Sequence, residues 1–266
     1  EWASLAEELG GGHVKVFSAT HAKQNPHFIR ARPSLISKAR RADMIMCSGA
    51  GLEAGWLPIL IQKGSSRIQP GKPGYFLAAD FVPVLEIPAV LDRSLGDIHP
   101  EGNPHVHLNP HNILTIADEF TKRLIRVDGN NKASYTALNE TFTSKWKAAI
   151  EKWEQDLSDY KNLSMVIYHK NFSYLIDWLG INLLGSIEVK PGIPPTAAHL
   201  EELLGVIRNS NSTPIIAVTP YDATKGAEWL SGKVNKPYVT LPYTVGGDEQ
   251  TKNLFDLFDR TLALLK

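Results

Sequence analysis

With 266 residues and 43% hydrophobic content, the chain can bury two cores of ordinary size or one large one, and two lobes are expected. Twenty-eight Lys and Arg balance 28 Asp and Glu, which excludes a net field toward phosphate backbones or anionic lipid, so nucleic acid is not an expected partner. The single cysteine, Cys47, excludes an intramolecular disulfide and, in the apolar run Ala42-Asp-Met-Ile-Met-Cys-Ser, reads as a buried strand thiol.

The first nine residues form an amphipathic helix pattern, not a signal peptide, and no apolar stretch approaches the ~20 residues that cross a bilayer. A soluble chain is expected, and its abrupt start inside a helix suits a mature or trimmed protein. Gly10-Gly-Gly then breaks the helix, and His13-Val-Lys-Val-Phe alternates with period two, which predicts a short strand. A loop ending at Asn25-Pro-His27 follows. Ser34 is placed to cap a helix over residues 35–41, and Met44-Ile-Met-Cys reads as the next strand. Gly- and Pro-rich text leads to short strands predicted at 75–77 and 84–87.

Asn109-Pro introduces a helix to about Arg126, closed by Asp128-Gly-Asn-Asn. From 132 to about 160, Tyr135, Leu138, Phe142, Trp146, Ile150, Trp153 and Leu157 recur at spacings of three and four, which predicts one long helix with an apolar face. Strands at 164–168, 182–185, 214–218 and 238–241 then alternate with helices at 172–179, 196–207, 223–230 and 249–265. Such alternation implies parallel sheets covered on both faces. The predicted fold is therefore α/β: a lobe over 1–129, a linking long helix over 130–161, and a second lobe over 162–266.

Four of the nine histidines fall in the run His99-Pro-Glu-Gly-Asn-Pro-His105-Val-His107-Leu-Asn-Pro-His111. Neutral imidazole is the commonest ligand for borderline-soft divalent metals, and a site needs several brought together from separate segments. His27 and His169 each follow a predicted strand, where open α/β sheets bind ligands, and His105 sits in a Pro-bounded loop that restricts the backbone. His107, two residues on, is either a ligand or a support for one. His13, His111 and His199 read as surface groups. Nucleophile elbows, phosphate loops, dinucleotide turns and the His-Glu-x-x-His zinc motif are all missing, and neither catalytic nor cofactor-binding residues are expected.

At these residues the chain resembles the metal-specific solute-binding proteins of bacterial ABC importers, the zinc and manganese branch known as cluster A-I. Asn25-Pro-His27 and Asn103-Pro-His105-Val-His-Leu-Asn-Pro are similar to the family's Asp-Pro-His segments, with His107 where Trp is usual. Tyr168-His169-Lys-Asn-Phe-Ser-Tyr is similar to its strand-end His, and Pro191-Gly-Ile-Pro-Pro-Thr to the loop that follows. The resemblance implies two (β/α) lobes with a metal site in the cleft between them, ligated by His27, His105 and His169. It further implies a periplasmic or cell-surface lipoprotein monomer that delivers the ion to ABC permease membrane subunits, the cleft closing on the metal and protonation favouring release. Three nitrogens favour Zn(II) over Mn(II).

Two departures stand out. Leu241 replaces an acidic fourth ligand that many relatives carry, which leaves Asp248, Glu188, His107 or a water for that position, and the strand that relatives carry before the first helix is missing. The competing reading is a zinc-dependent hydrolase or lyase with three His ligands and an open water position, for which the sequence offers no clear general base. An adhesin on the same scaffold is a third.

Overall fold

The computed structural model describes residues 1–266 except 91–95, 97, 98, 156, 211 and 213. Ten helices and six strands alternate along the described residues. The first part holds α1 (Trp2–Gly10), α2 (Pro33–Ala39), β1 (Ile45–Cys47), α3 (Leu57–Lys63), β2 (Tyr75–Leu77) and α4 (Pro110–Val127). The long helix α5 (Lys132–Glu154) and the short α6 (Leu157–Tyr160) follow. The last part comprises β3 (Ser164–Ile167), α7 (Ser173–Leu179), β4 (Asn182–Ser186), α8 (Ala197–Asn209), β5 (Ile215–Val218), α9 (Lys225–Val234), β6 (Val239–Thr240) and α10 (Leu254–Leu265). No helix among the described residues is long and apolar enough to cross a membrane.

Both sheets are parallel. β1 pairs with β2, placing Ile45 opposite Tyr75 and Cys47 opposite Leu77, and the four strands of the second sheet run in the order β4-β3-β5-β6. β3 is fully buried between two neighbours, which is why Ser164-Met-Val-Ile reads as a continuous apolar run and not an alternating one. Cys47 is buried at the end of β1, where burial pushes its thiol well above the ordinary value.

Side-chain caps set three helix starts. Asn109 caps α4 by accepting from the His111 N–H, with Pro110 at the first helical position, and Thr196 and Asn253 cap α8 and α10 in the same way. Ser34 does not cap α2, which starts two residues earlier than predicted, at Pro33 behind Arg32.

Two predicted strands are absent. Residues 14–17 are extended at Val14 but enter no ladder among the described residues, and a 3-10 turn covers Gly11–His13. Over 84–87 the backbone has other partners: the Leu85 N–H donates to the Tyr174 hydroxyl, its carbonyl accepts from the Asn103 N–H, and Glu86 takes a positive φ of 56°. The long helix also ends sooner than predicted, at Glu154, with Asp156 outside the described residues.

One hydrophobic core runs through both halves. It joins Leu5 and Leu9 of α1, Ile113 and Phe120 of α4, Trp146 and Trp153 of α5, Met165 of β3 and Leu257 and Phe258 of α10. α5, about 34 Å long at 1.5 Å per residue, lies along α1 and α4 and meets α10. Smaller clusters lie outside it, around Leu35 and Trp56 in the first part and around Val166 and Leu204 in the second. A large shared apolar core restricts rigid-body motion of the two halves.

The turn after β1 holds a buried acid. Gly49, Ala50 and Gly51 all take positive φ, and the Glu53 carboxylate accepts from the N–H groups of Ser48 at 2.7 Å and Gly49 at 3.0 Å. Burial nevertheless pushes Glu53 from 4.5 up to about 7, the two donors opposing it. The folded state thus keeps this proton up to about pH 7, whereas the unfolded chain releases it near pH 4.5, so this group's stabilisation is present below 4.5 and lost as pH rises through 7. Glu53→Gln is expected to gain about 3 kcal/mol relative to the parent between about pH 4 and pH 8, on top of a constant offset for one lost N–H acceptor. Denaturant midpoints of both proteins at the two pH values check this; a pH-independent difference refutes it.

Candidate metal centre

Three segments deliver the three histidines. His27 lies in a 3-10 turn, Pro26–Phe28, before α2; His105 precedes a 3-10 turn, Val106–Leu108, that runs into α4. His169 comes directly after β3, at the carboxyl end of an inner strand of the larger sheet. Their side chains converge: one ligand atom from each of His27, His105 and His169 lies within 4.8 Å of the others. The ring centroids of His27 are 5.4 Å from those of His105 and 5.2 Å from those of His169, with steep angles between planes of 67° and 79°.

An Asn-Pro-His triplet builds two of these positions. Asn25 Oδ1 accepts the His27 N–H at 3.0 Å, and Asn103 Oδ1 accepts the His105 N–H at 3.0 Å. Each closes a short side-chain turn that fixes the imidazole two residues on, behind a proline that restricts the backbone. The third triplet, Asn109-Pro-His111, makes the same bond at 2.9 Å but caps α4, leaving His111 on the surface against Glu154 at 2.7 Å.

Each imidazole is oriented from behind through Nδ1. Asn25 Oδ1 faces Nδ1 of His27 at 2.8 Å, the Tyr243 hydroxyl faces that of His105 at 2.7 Å, and Glu188 Oε2 faces that of His169 at 2.7 Å. The Asn25 amide oxygen and the Glu188 carboxylate accept, which places the proton on Nδ1 of His27 and His169 and leaves Nε2 of each as a bare lone pair, the pattern that metal-binding histidines use; the Tyr243 hydroxyl, donor or acceptor according to the tautomer, orients the His105 ring. His105 Nε2 is buried with no hydrogen-bond partner, an orphan that a metal ion would satisfy.

The electrostatics favour neutral rings. Burial, then repulsion from His169 and His99, lowers His27 from 6.5 to about 3, and burial followed by repulsion from His27 holds His105 well below its ordinary value. Neutral imidazole is the form that binds metal.

Asn103 also ties the two halves together at the site. Its Nδ2 donates to Glu86 Oε2 at 2.9 Å and to the Lys170 carbonyl at 2.8 Å, next to His169, while its own carbonyl accepts from the Tyr174 hydroxyl at 2.8 Å. An aspartate at this place has no N–H to give to either acceptor.

The other histidines and acids have different duties. His107 is fully buried, with Nε2 donating to the Tyr243 carbonyl at 2.9 Å and its ring edge-on to Trp2 and Tyr243. Asp248 accepts from Arg260 Nε at 3.0 Å and from the Gln250 N–H at 2.8 Å. Leu241 is buried, its N–H bonded to the Val218 carbonyl. His199 bonds the Ser186 carbonyl at 2.9 Å, and His13 is exposed against Tyr135. Two groups at the site were not foreseen from sequence, Asn25 as an acceptor behind His27 and Tyr243; His99, the first of the clustered histidines, also lies here, its Nε2 3.0 Å from that of His27.

The whole chain, residues 1–266, matches the family described as zinc-uptake complex component A, periplasmic. It is 27% identical over 158 residues to the manganese ABC transporter substrate-binding lipoprotein scaA of Streptococcus gordonii, a match that covers 57% of this chain and 48% of that protein. The manganese ABC transporter substrate-binding lipoprotein PsaA of Streptococcus pneumoniae is 23% identical over 225 residues, 83% of this chain and 70% of that one. The chain thus spans about half to two thirds of the curated relatives it matches. Among solved structures, a zinc-bound ZnuA deletion mutant superposes with a TM-score of 0.80 at 20% identity, over 99% of this chain and 94% of that one. The Mn-bound periplasmic metal-binding protein of Candidatus Liberibacter asiaticus gives 0.78 at 16% identity, over 98% and 93%. These likenesses establish the fold, two α/β lobes with parallel sheets and a long helix. With the full-length match, the chain belongs to the family described as zinc-uptake complex component A, periplasmic.

Proposed function

We propose that this chain captures Zn(II) as its transported substrate through His27, His105 and His169, and passes it to the permease of an ABC importer. The observation that carries this reading is the convergence of three imidazoles from three segments, each with an oxygen group hydrogen-bonded behind Nδ1. Three neutral nitrogen donors suit zinc, whereas manganese, a harder ion, prefers more oxygen. The relatives named for manganese make the choice of ion the point to test.

The protein would act outside the cytoplasmic membrane, in the periplasm or as a surface lipoprotein, as a monomer. Its lobes, 1–129 and 162–266, are linked by residues 130–161. His27 and His105 would come from the first lobe and His169 from the second, so the ion would bridge the cleft. The shared core along α5 supports a small closure in place of a wide hinge motion. Burial of His27 and His105 keeps protons from competing near neutral pH.

Metal analysis of protein purified without added metal, followed by chelator-competition titration with Zn(II) and Mn(II), tests the proposal. One tightly held zinc per chain and manganese weaker by at least about tenfold is the expected result. Equal or tighter manganese binding would overturn the zinc assignment, and no stoichiometric metal would overturn the function.

A further inference from the structure

His99 stands outside the three-nitrogen cluster, yet its Nε2 faces Nε2 of His27 at 3.0 Å, with the rings 5.1 Å apart and tilted by 37°. Because Asn25 Oδ1 occupies Nδ1 of His27, the nitrogen that His99 faces is a lone pair. Two imidazole nitrogens bound to one tetrahedral zinc at 2.0–2.1 Å lie roughly 3.3 Å from each other. The 3.0 Å separation is that of an N–H···N hydrogen bond in which His99 donates to the His27 lone pair, and it is also within about 0.3 Å of the spacing between two ligands of a single ion.

The backbone presents His99 at this place. Its carbonyl accepts from the Gly102 N–H at 3.0 Å, closing the turn His99-Pro-Glu-Gly102, and the Asn103 N–H donates to the Leu85 carbonyl at 2.7 Å. Gly102 has φ +102°, and a Cβ there would come within 2.5 Å of Val84 Cγ1, so the turn requires glycine. On its other side the imidazole lies against Gly51, where a Cβ would come 3.5 Å from Nδ1.

The other polar groups around the cluster make contacts of a different kind. His107 Nε2 donates to the Tyr243 carbonyl, Asp248 pairs with Arg260, Asp222 accepts the Thr219 N–H at 2.7 Å, and Glu188 Oε2 holds His169 and the Gly192 N–H. His99 alone among these groups meets a histidine of the cluster nitrogen to nitrogen.

We propose that His99 is the fourth protein ligand, so that His27, His99, His105 and His169 hold the ion with four imidazoles and no carboxylate. The proposal rests on the zinc-capture reading above and deepens it. The His99 ring lies 6.4 Å from that of His105, so a rotation of its side chain toward the other rings completes the set. A neutral N4 set selects for zinc, cobalt, nickel and copper and disfavours manganese.

The test uses the full chain with Zn(II) and Co(II) alone as probes, comparing the parent with His99→Ala, His99→Gln and His169→Ala, and with His199→Ala as the control. His99→Gln keeps the packing against Gly51 and guards against a folding defect in the alanine variant. The expected result is a loss of zinc affinity of at least about tenfold in both His99 variants, with His199→Ala unchanged. The visible bands of the cobalt form should shift and weaken in both, as an oxygen donor replaces a nitrogen. Parent-like affinity with an unchanged cobalt spectrum would overturn the proposal. Tighter zinc binding would overturn it too, because His99 would then be competing with the ion for His27. If His169→Ala abolishes binding while the His99 variants do not, only the fourth ligand falls; if the parent binds no stoichiometric zinc, the zinc reading falls with it.

Discussion

His169→Ala is expected to lower zinc affinity by at least roughly two orders of magnitude, and Glu188→Ala by roughly 10- to 100-fold. The difference follows from what each change removes. The first deletes a nitrogen donor, the one supplied from beyond α5, and leaves the cluster with His27 and His105. The second leaves the donor in place but takes away the carboxylate 2.7 Å from Nδ1, so the ring loses its fixed tautomer and part of its basicity. Neither side chain holds the sheet together: around them the ladder runs through backbone bonds, Tyr168 N–H to the Ala217 carbonyl and Glu188 N–H to the Tyr168 carbonyl. Chelator competition with fluorescent indicators reads both changes, and near-parental affinity in His169→Ala would remove this residue from the ligand set. Equal losses in the two variants would mean that the carboxylate matters chiefly by binding the ion itself.

The site was legible where chemistry is local. Asn-Pro-His is a three-residue device, and both copies that precede a candidate ligand make the side-chain turn that their composition allows. The same triplet at Asn109 caps a helix instead, because an apolar-periodic segment follows it, so the motif specifies a turn and not a ligand. Tyr243 could not be found this way: it reaches His105 across 138 residues of sequence, and no local pattern carries that pairing. Glu188 could be suspected as an acid near His169, but its role behind the ring depends on β3 and β4 lying side by side. His107 illustrates the opposite case. Two residues from His105, it is turned by the intervening 3-10 segment to the Tyr243 carbonyl and the core.

Helices were read more accurately than strands for a physical reason. A helix closes its own hydrogen bonds, so periodicity places α4 and α8 within two residues of their ends, whereas α10, predicted from 249, begins at Leu254 behind Asn253, and α3 has no counterpart among the predicted helices. A strand exists only through a partner. The alternation at His13-Val-Lys-Val-Phe and the apolar run at Val84 are compatible with pairing, yet the first enters no ladder among the described residues and the second gives its backbone groups to Tyr174 and Asn103. In the second half the strands were found because each lies between helices along the chain, although only β3 and most of β5 are buried. There alternation of element type, not of residues, carried the signal.

Trp146→Ala is expected to destabilise the protein by about 3–5 kcal/mol, lowering the melting temperature by roughly 10 °C. Trp146 is fully buried midway along α5, stacked on Phe142 at 5.3 Å and edge-on to Phe255 at 4.7 Å and Phe258 at 5.5 Å of α10. Its indole N–H donates to the Pro110 carbonyl at 2.8 Å, at the start of the helix that follows His105 and His107. One side chain thus joins the first-half helix that leads out of the site to the last helix of the second half. Alanine leaves a cavity and removes the indole's hydrogen bond to the Pro110 carbonyl, which at the first turn of α4 keeps its place as an acceptor within the helix. If zinc binds only the folded chain, free zinc at 100 times its dissociation constant returns about 2.7 kcal/mol, so the zinc-loaded variant should recover part of the loss and not all of it. Thermal melts of parent and variant, with and without zinc, measure the four corners of this cycle. A loss below about 1 kcal/mol would mean that α5 does not couple the halves through this aromatic cluster. Full recovery by zinc at that concentration would mean instead that the metal, and not the shared core, holds them in register.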